Sequence, residues 1–180
     1  HTRFLPVSWA RDVYKRQVKF INAGIFKAPD ENYRHVERII NSFEIILGIS
    51  GTLHIAEDGK EYAVAEGGML TLYPSVPHGG CRECGRETSF FWAHFVFDAE
   101  ASIFQELEQI PDISLFRNDP AHRTVGDVII LPKFIDRLES ERLMVICREL
   151  LHVHKSNYYT EMAMNLCLSS LLVEITQQYL

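Results

Sequence analysis

Three groups of residues have types and spacings that could do chemistry. The first is Cys81-Arg-Glu-Cys84, which ends the stretch that begins Tyr73-Pro-Ser-Val-Pro-His-Gly-Gly. Two cysteines at this spacing are half of a structural zinc site or a redox pair. Zinc needs four ligands, and the remaining cysteines, Cys147 and Cys167, lie far along the chain, so no second pair completes the set. A redox pair of the thioredoxin kind sits at a helix start, where the dipole lowers the thiol pKa. This pair falls between strand-like segments, so it is expected to be incidental. The second group is His152 and His154. Residues two apart on a helix do not face each other, and both are expected to be solvated or partly buried. The third is His35-Val-Glu37. In an extended segment these two side chains share a face. With His78 they would make two histidines and a carboxylate, the set used by non-haem iron sites. Arg38 next to Glu37 opposes a cation there, and the alternative for His78 is a loop histidine that donates to a backbone carbonyl. No nucleophile elbow, phosphate loop or dinucleotide fingerprint occurs.

These residues must be positioned by short strands. From Phe43 to Phe97 the sequence alternates strand-like runs with turns. Phe43–Ile49 is β-rich. Residues 52–64 predict a hairpin, with Asp58-Gly59 as its two-residue turn. Met69–Tyr73 predicts another strand, stopped by Pro74. Thr88–Phe97 predicts a long strand that is apolar on both faces. One face holds Phe91, Ala93, Phe95 and Phe97, expected to fill the core. The other holds Phe90, Trp92, His94 and Val96, and could line a cavity. Many short strands joined by glycine-rich turns predict a small barrel or jelly roll.

After Asp98 the character changes. Residues 100–110 predict a short helix. Asp127–Phe134 predicts a strand or extended piece that returns to the barrel. Ser140 is placed to cap a helix, and a second helix is predicted from about Thr160 onward. In it Met164, Leu168, Leu171, Leu172, Ile175 and Tyr179 recur at three- and four-residue steps, an amphipathic stripe. This stripe could form a dimer contact or pack on the barrel of its own chain.

The bulk numbers bound what such a chain can be. Its 180 residues suit one domain, or one domain with a helical subdomain. An apolar fraction of 47% is that of an ordinary globular protein. No apolar run reaches the ~20 residues of a membrane span, and no secretory signal is seen. A cytoplasmic protein with reduced cysteines is therefore expected. The net charge of −6 argues against this segment itself gripping a nucleic-acid backbone. Residues 1–17 stand apart: Val7–Gln17 resembles the translated end of a transposon-based sequencing adapter, so native sequence is expected from about Val18.

His35-x-Glu37-Arg38, the Phe43–Gly80 hairpins with Pro74-x-x-Pro77-His78, and Phe90-Phe-Trp-Ala-His-Phe95 occur in an order that resembles the effector-binding domain of AraC/XylS-family transcription regulators. The likeness covers about residues 18–180. It implies a mainly β fold, a cupin-type barrel over residues 18–135 (with a helical insertion near 99–110), followed by a helical dimerisation segment over 136–180. It implies a small-molecule effector, often a sugar, inside the barrel, a homodimer, no cofactor, and no enzymatic activity. Arg38 and Trp92 match family positions that contact a sugar; His78, His94 and Phe90 share that face or rim. The guanidinium is a planar fork suited to hydroxyls or a carboxylate. The indole offers a face for stacking, although an aromatic on a strand also serves as plain core. DNA would be bound through helix-turn-helix motifs beyond Leu180. Cys81 and Cys84 lie outside the family pattern, and the His-x-His of metal-holding cupins is replaced by His54 alone. The alternative is a free-standing metal-dependent cupin enzyme using His35, Glu37 and His78.

Overall fold

The computed structural model describes residues 18–97 and 129–179. The adapter-like tail and the helix expected near 99–110 lie outside the described residues. The chain is mainly β, ending in two helices. The strands are β1 (Val18–Lys27), β2 (Phe43–Ser50), β3 (Thr52–Glu57), β4 (Lys60–Ala65), β5 (Met69–Leu72), β6 (His78–Gly80), β7 (Ser89–Phe97) and β8 (Phe134–Ile135). The helices are α1 (Ser140–Lys155) and α2 (Met162–Tyr179). The strands build a five-stranded sheet in the order β1-β7-β2-β5-β8 and a three-stranded sheet in the order β4-β3-β6. All pairings are antiparallel. The two sheets face each other as a cupin-type jelly-roll barrel.

The local sequence explains the turns. At the β3–β4 hairpin both Asp58 and Gly59 have positive φ, the backbone that an Asp-Gly turn supplies with little strain. β1 lacks strict alternation because a bulge interrupts its pairing with β7 between Phe20 and Asn22. That bulge is why the period-two pattern begins to read only at Phe43. The His78-Gly79-Gly80 segment is a short strand on β3 rather than a loop. A Cβ on Gly79 would stand 3.0 Å from Glu37 Cα, and one on Gly80 would stand 2.5 Å from His35 N. These glycines let the chain's own 34–38 segment approach.

The central strands of the five-stranded sheet, β2, β5 and β7, are buried on both faces over most of their length, which accounts for their continuous apolar runs. Its outer face (Ile45, Leu47, Phe91, Ala93 and Phe95) packs on α1 and α2 in one core. Its inner face (Ile46, Leu70, Leu72 and Phe90) meets Leu53, Ile55 and Val64 of the small sheet in a second core. Phe91, Ala93 and Phe95 therefore do fill a core, and the Phe90 and Trp92 side packs into the barrel interior. On α2, Leu168, Leu171, Leu172 and Ile175 are fully buried in the first core. Met164 and Tyr179 are half-buried. The stripe singled out for a dimer contact is thus packed largely against its own chain. Ser140 does not cap α1: the N-cap position is Glu139, with no side-chain cap hydrogen bond. Among the described residues no helix is long and apolar enough to cross a membrane.

Candidate functional site

The open end of the barrel is set by strand register. Glu44 on β2 lies opposite His94 on β7 and Leu72 on β5. Ile46, one step further in on the same face, lies opposite Trp92. Trp92 also lies opposite Gly24 of β1, and a Cβ on Gly24 would come within 2.7 Å of the indole Cζ2. The glycine is what leaves room for the ring. Phe90, deeper still, is buried against Phe26 with ring centroids 5.1 Å apart. Along this face Phe90 lies deepest, Trp92 next, and Glu44 and His94 form the rim, the level nearest the strand end.

Arg38 comes from the segment before β2 and is fixed by a two-way backbone bridge: its N–H donates to His78 O at 2.9 Å and His78 N–H donates back to Arg38 O at 3.0 Å. The guanidinium then spans the rim. Nη2 donates to Glu44 Oε2 at 2.9 Å, and Nε donates to His78 Nε2 at 3.3 Å. His78 Nδ1 can donate to Val76 O at 3.4 Å, so the Nδ1–H tautomer satisfies both contacts. His94 Nδ1 meets Ser42 Oγ at 3.0 Å, its Nε2 lies 3.6 Å from Glu44 Oε2, and its ring stands edge-on to Trp92 at 5.4 Å. Arg38, Glu44, His78, His94 and Trp92 form one contiguous cluster.

The electrostatics are decided by burial. The Glu44 side chain is 1% exposed and that of Arg38 is 39% exposed. Desolvation pushes the Glu44 carboxyl up to about 7, against the lowering influence of Arg38. The attraction is weakened because the arginine stays half in water while the carboxylate does not. Burial also brings His94 and His35 down to about 4, with the positive charge of Arg38 acting in the same direction. His78 is lowered too, mainly by burial. The rim at neutral pH is therefore neutral imidazoles around one arginine and a carboxyl near its midpoint, a mixture of donors and acceptors that suits a polar, weakly charged ligand.

Glu44 was not among the residues singled out from sequence. Its signal is a lone carboxylate inside the apolar run Phe43–Ile49, in phase with Ile46. Glu57 is similar, in phase with Leu53 and Ile55, and it is buried. It accepts from the Tyr73 N–H at 2.9 Å and pairs with Lys133.

The other candidates separate. His35 is buried, donates to Val36 O at 2.9 Å and stands with its ring 5.8 Å from that of His78, whereas Glu37 is exposed. Among the described residues no three His, Cys, Asp or Glu side chains stand close enough to hold a metal ion. Cys81 and Cys84 are free thiols, as are Cys147 and Cys167. Cys84 is buried beneath a bridge to Tyr33. His152 is exposed; His154 Nε2 meets Asn22 Oδ1 at 3.0 Å on the barrel's outer side.

Comparison with known proteins places this geometry in context. The chain is 33% identical over 72 residues to the uncharacterized HTH-type transcriptional regulator YisR of Bacillus subtilis (strain 168). The match covers 40% of this chain and spans only 24% of that relative's length. Among solved structures, a predicted oxalate decarboxylase from Thermotoga maritima is similar with a TM-score of 0.39 and 14% identity, over 52% of this chain and 76% of that one. The cupin domain of Schizosaccharomyces pombe Cnp3 is similar with a TM-score of 0.37 and 11% identity, over 44% and 64%. The family model of the AraC-like ligand binding domain matches residues 25–155, most of the chain, and the chain belongs to that family.

Proposed function

We propose that this chain senses a sugar or related polyol for a DNA-binding transcription regulator and catalyses no reaction. Residues 18–135 form the ligand-binding unit and residues 136–180 the helical unit that carries the signal. DNA contact belongs to parts of the parent protein outside this chain. One observation carries this reading: a fully buried carboxyl, Glu44, tied to a half-exposed guanidinium, Arg38, beside an indole in the barrel mouth. Arg38, His78, His94 and Glu44 offer hydroxyls both donors and acceptors, and Trp92 offers an apolar face over Phe90. A ligand acts by preferring one arrangement of the helices over another.

The same reading makes the protein a homodimer in the cytoplasm. Because Leu168, Leu171, Leu172 and Ile175 are used inside the chain, the contact falls to the exposed side of α2 and the residues leading into it. Met162, Leu166 and Val173 are exposed at steps of four and seven residues on one face of α2, and Tyr159, just before the helix, is exposed too. Apolar residues on one exposed helix face are suited to pairing with a second helix.

The test is titration calorimetry on the 180-residue chain with a panel of aldoses, alditols and hexuronic acids at millimolar concentration. Saturable binding by one class, abolished in Arg38→Ala and in Trp92→Ala, is expected. Binding that survives both substitutions, or no heat from the entire panel, overturns the reading.

A further inference from the structure

The connection that enters the helical unit is described from residue 129 onward, and it touches both the barrel and α2. At the barrel end, Lys133 Nζ donates to the buried carboxylate of Glu57 and, at 2.5 Å, to Thr71 O. The ammonium also stands 4.2 Å from the centre of the Tyr73 ring and 5.5 Å from that of Tyr62. The backbone is tied at the same place: Thr71 N–H donates to Lys133 O at 2.9 Å and Thr71 Oγ1 to Pro132 O at 2.8 Å. Phe134 and Ile135 then pair with β5 as β8. At the helix end, Ile130 N–H donates to Thr176 Oγ1 at 3.1 Å, and that oxygen lies 3.0 Å from Ile130 O. Thr176 is a buried residue in the last turns of α2.

Two properties make this connection a rod. Pro132 fixes its own φ and holds Leu131 extended. Ile129, Leu131 and Ile135 pack along the outer core that α1 and α2 share. The rim is contiguous with it, because Glu57 is the register partner of His78, the histidine that receives Arg38 Nε. A buried Glu–Lys pair adds little net stability over apolar residues of the same size, so its use here fits fixing one position of the strap.

We propose that the strap of residues 129–135, latched by Lys133 to the barrel mouth and by Ile130 to Thr176, couples the state of the mouth to the last turns of α2. The direction of the signal rests on the ligand-sensing reading above; the coupling itself does not. Lys133 and Thr176 are positioning residues at the two ends of one rod. Coupling of this kind is reciprocal, and that supplies the test.

Backbone hydrogen exchange is measured on the unliganded 180-residue chain and on Lys133→Met and Thr176→Val, with the amides of α1 around Leu150 as internal control. Lys133→Met keeps the stem and removes the donor; Thr176→Val keeps the shape and removes the hydroxyl. Lys133→Met should speed exchange at Leu172–Tyr179, and Thr176→Val should speed it at Thr71–Tyr73, each by about tenfold, the loss of a buried hydrogen bond or two. Lys133→Arg should restore wild-type exchange at α2. Two outcomes overturn the coupling: change confined to the mutated end, or acceleration spread equally into α1, which is global loss of stability. Because no ligand is present, failure here leaves the titration above free to succeed.

Discussion

Replacing Glu44 by glutamine should stabilise the protein in mild alkali and leave it nearly unchanged in mild acid, even though the substitution removes an ion pair. The carboxyl titrates near 7 in the fold against an ordinary 4.5, so the folded chain holds a proton that the unfolded chain has released. A group with a raised folded pKa contributes its stability below the unfolded value and loses it as pH rises through the folded one. Between pH 4.5 and 7 wild type therefore gives up stability at ~1.4 kcal/mol per pH unit, an upper limit of ~3 kcal/mol over the span. Glutamine keeps an acceptor for Arg38 Nη2 and has nothing to ionise. The variant should match wild type near pH 5 and exceed it at pH 8 by ~2–3 kcal/mol, or roughly 5–10 °C in Tm for a chain of this size. His35 and His94 titrate at lower pH; at pH 8 both are neutral in the folded and the unfolded chain and add nothing to the difference there. The assay is thermal unfolding of the two proteins side by side from pH 5 to 8. A variant that is less stable at pH 8 than at pH 5, relative to wild type, would show that the 2.9 Å contact with Arg38 outweighs desolvation and would refute the reasoning.

Four further outcomes are expected. His94 is held near 4 against an ordinary 6.5, facing Arg38, Glu44 and His78, so its contribution is complete above 6.5 and lost as pH falls through 4. His94→Asn should flatten the acid loss of stability by up to ~1.4 kcal/mol per pH unit in urea titrations between pH 6.5 and 4.5. Gly24→Ala places a methyl 2.7 Å from the Trp92 ring; a loss of ~1–3 kcal/mol with a shifted indole emission, read in a Trp9→Phe background, is expected. Leu171→Ala should cost ~2–5 kcal/mol, because the side chain is fully buried and leaves a cavity. Leu166→Ala should change unfolding by less than ~0.5 kcal/mol yet shift light-scattering mass toward the monomer on dilution; an unchanged mass removes the dimer seam from that face.

How much of this was legible in the sequence varied with how local the cause is. The β3–β4 hairpin read directly, because two adjacent residues fix its turn. β7 read as a strand with two useful faces, because period two sorts Phe91, Ala93 and Phe95 from Phe90 and Trp92 without knowledge of neighbours. β1 did not read, because its bulge breaks that period. Glu44 and Glu57 were visible as carboxylates in apolar phase, but their meaning depends on which residues the register sets opposite them. Lys133 could not be linked to Glu57 at all: 76 residues separate them, and nothing near either one signals the other.

The stripe on α2 shows the same limit from the opposite side. Apolar residues at three- and four-residue steps establish that one helical face must be covered; they say nothing about the cover. Here it is the outer face of the barrel's own large sheet, whose strands are apolar on both faces and so need a second layer. A sheet with two apolar faces and a helix with one are complementary demands within a single chain, and satisfying them internally still leaves Met162, Leu166 and Val173 exposed on α2. The inner face of the sheet then holds the proposed ligand site and its outer face packs against the helices. Any ligand that shifts β2 or β7 at Glu44 and His94 presses through Ile45, Ala93 and Phe95, one residue away on the opposite face, onto the layer that includes α2.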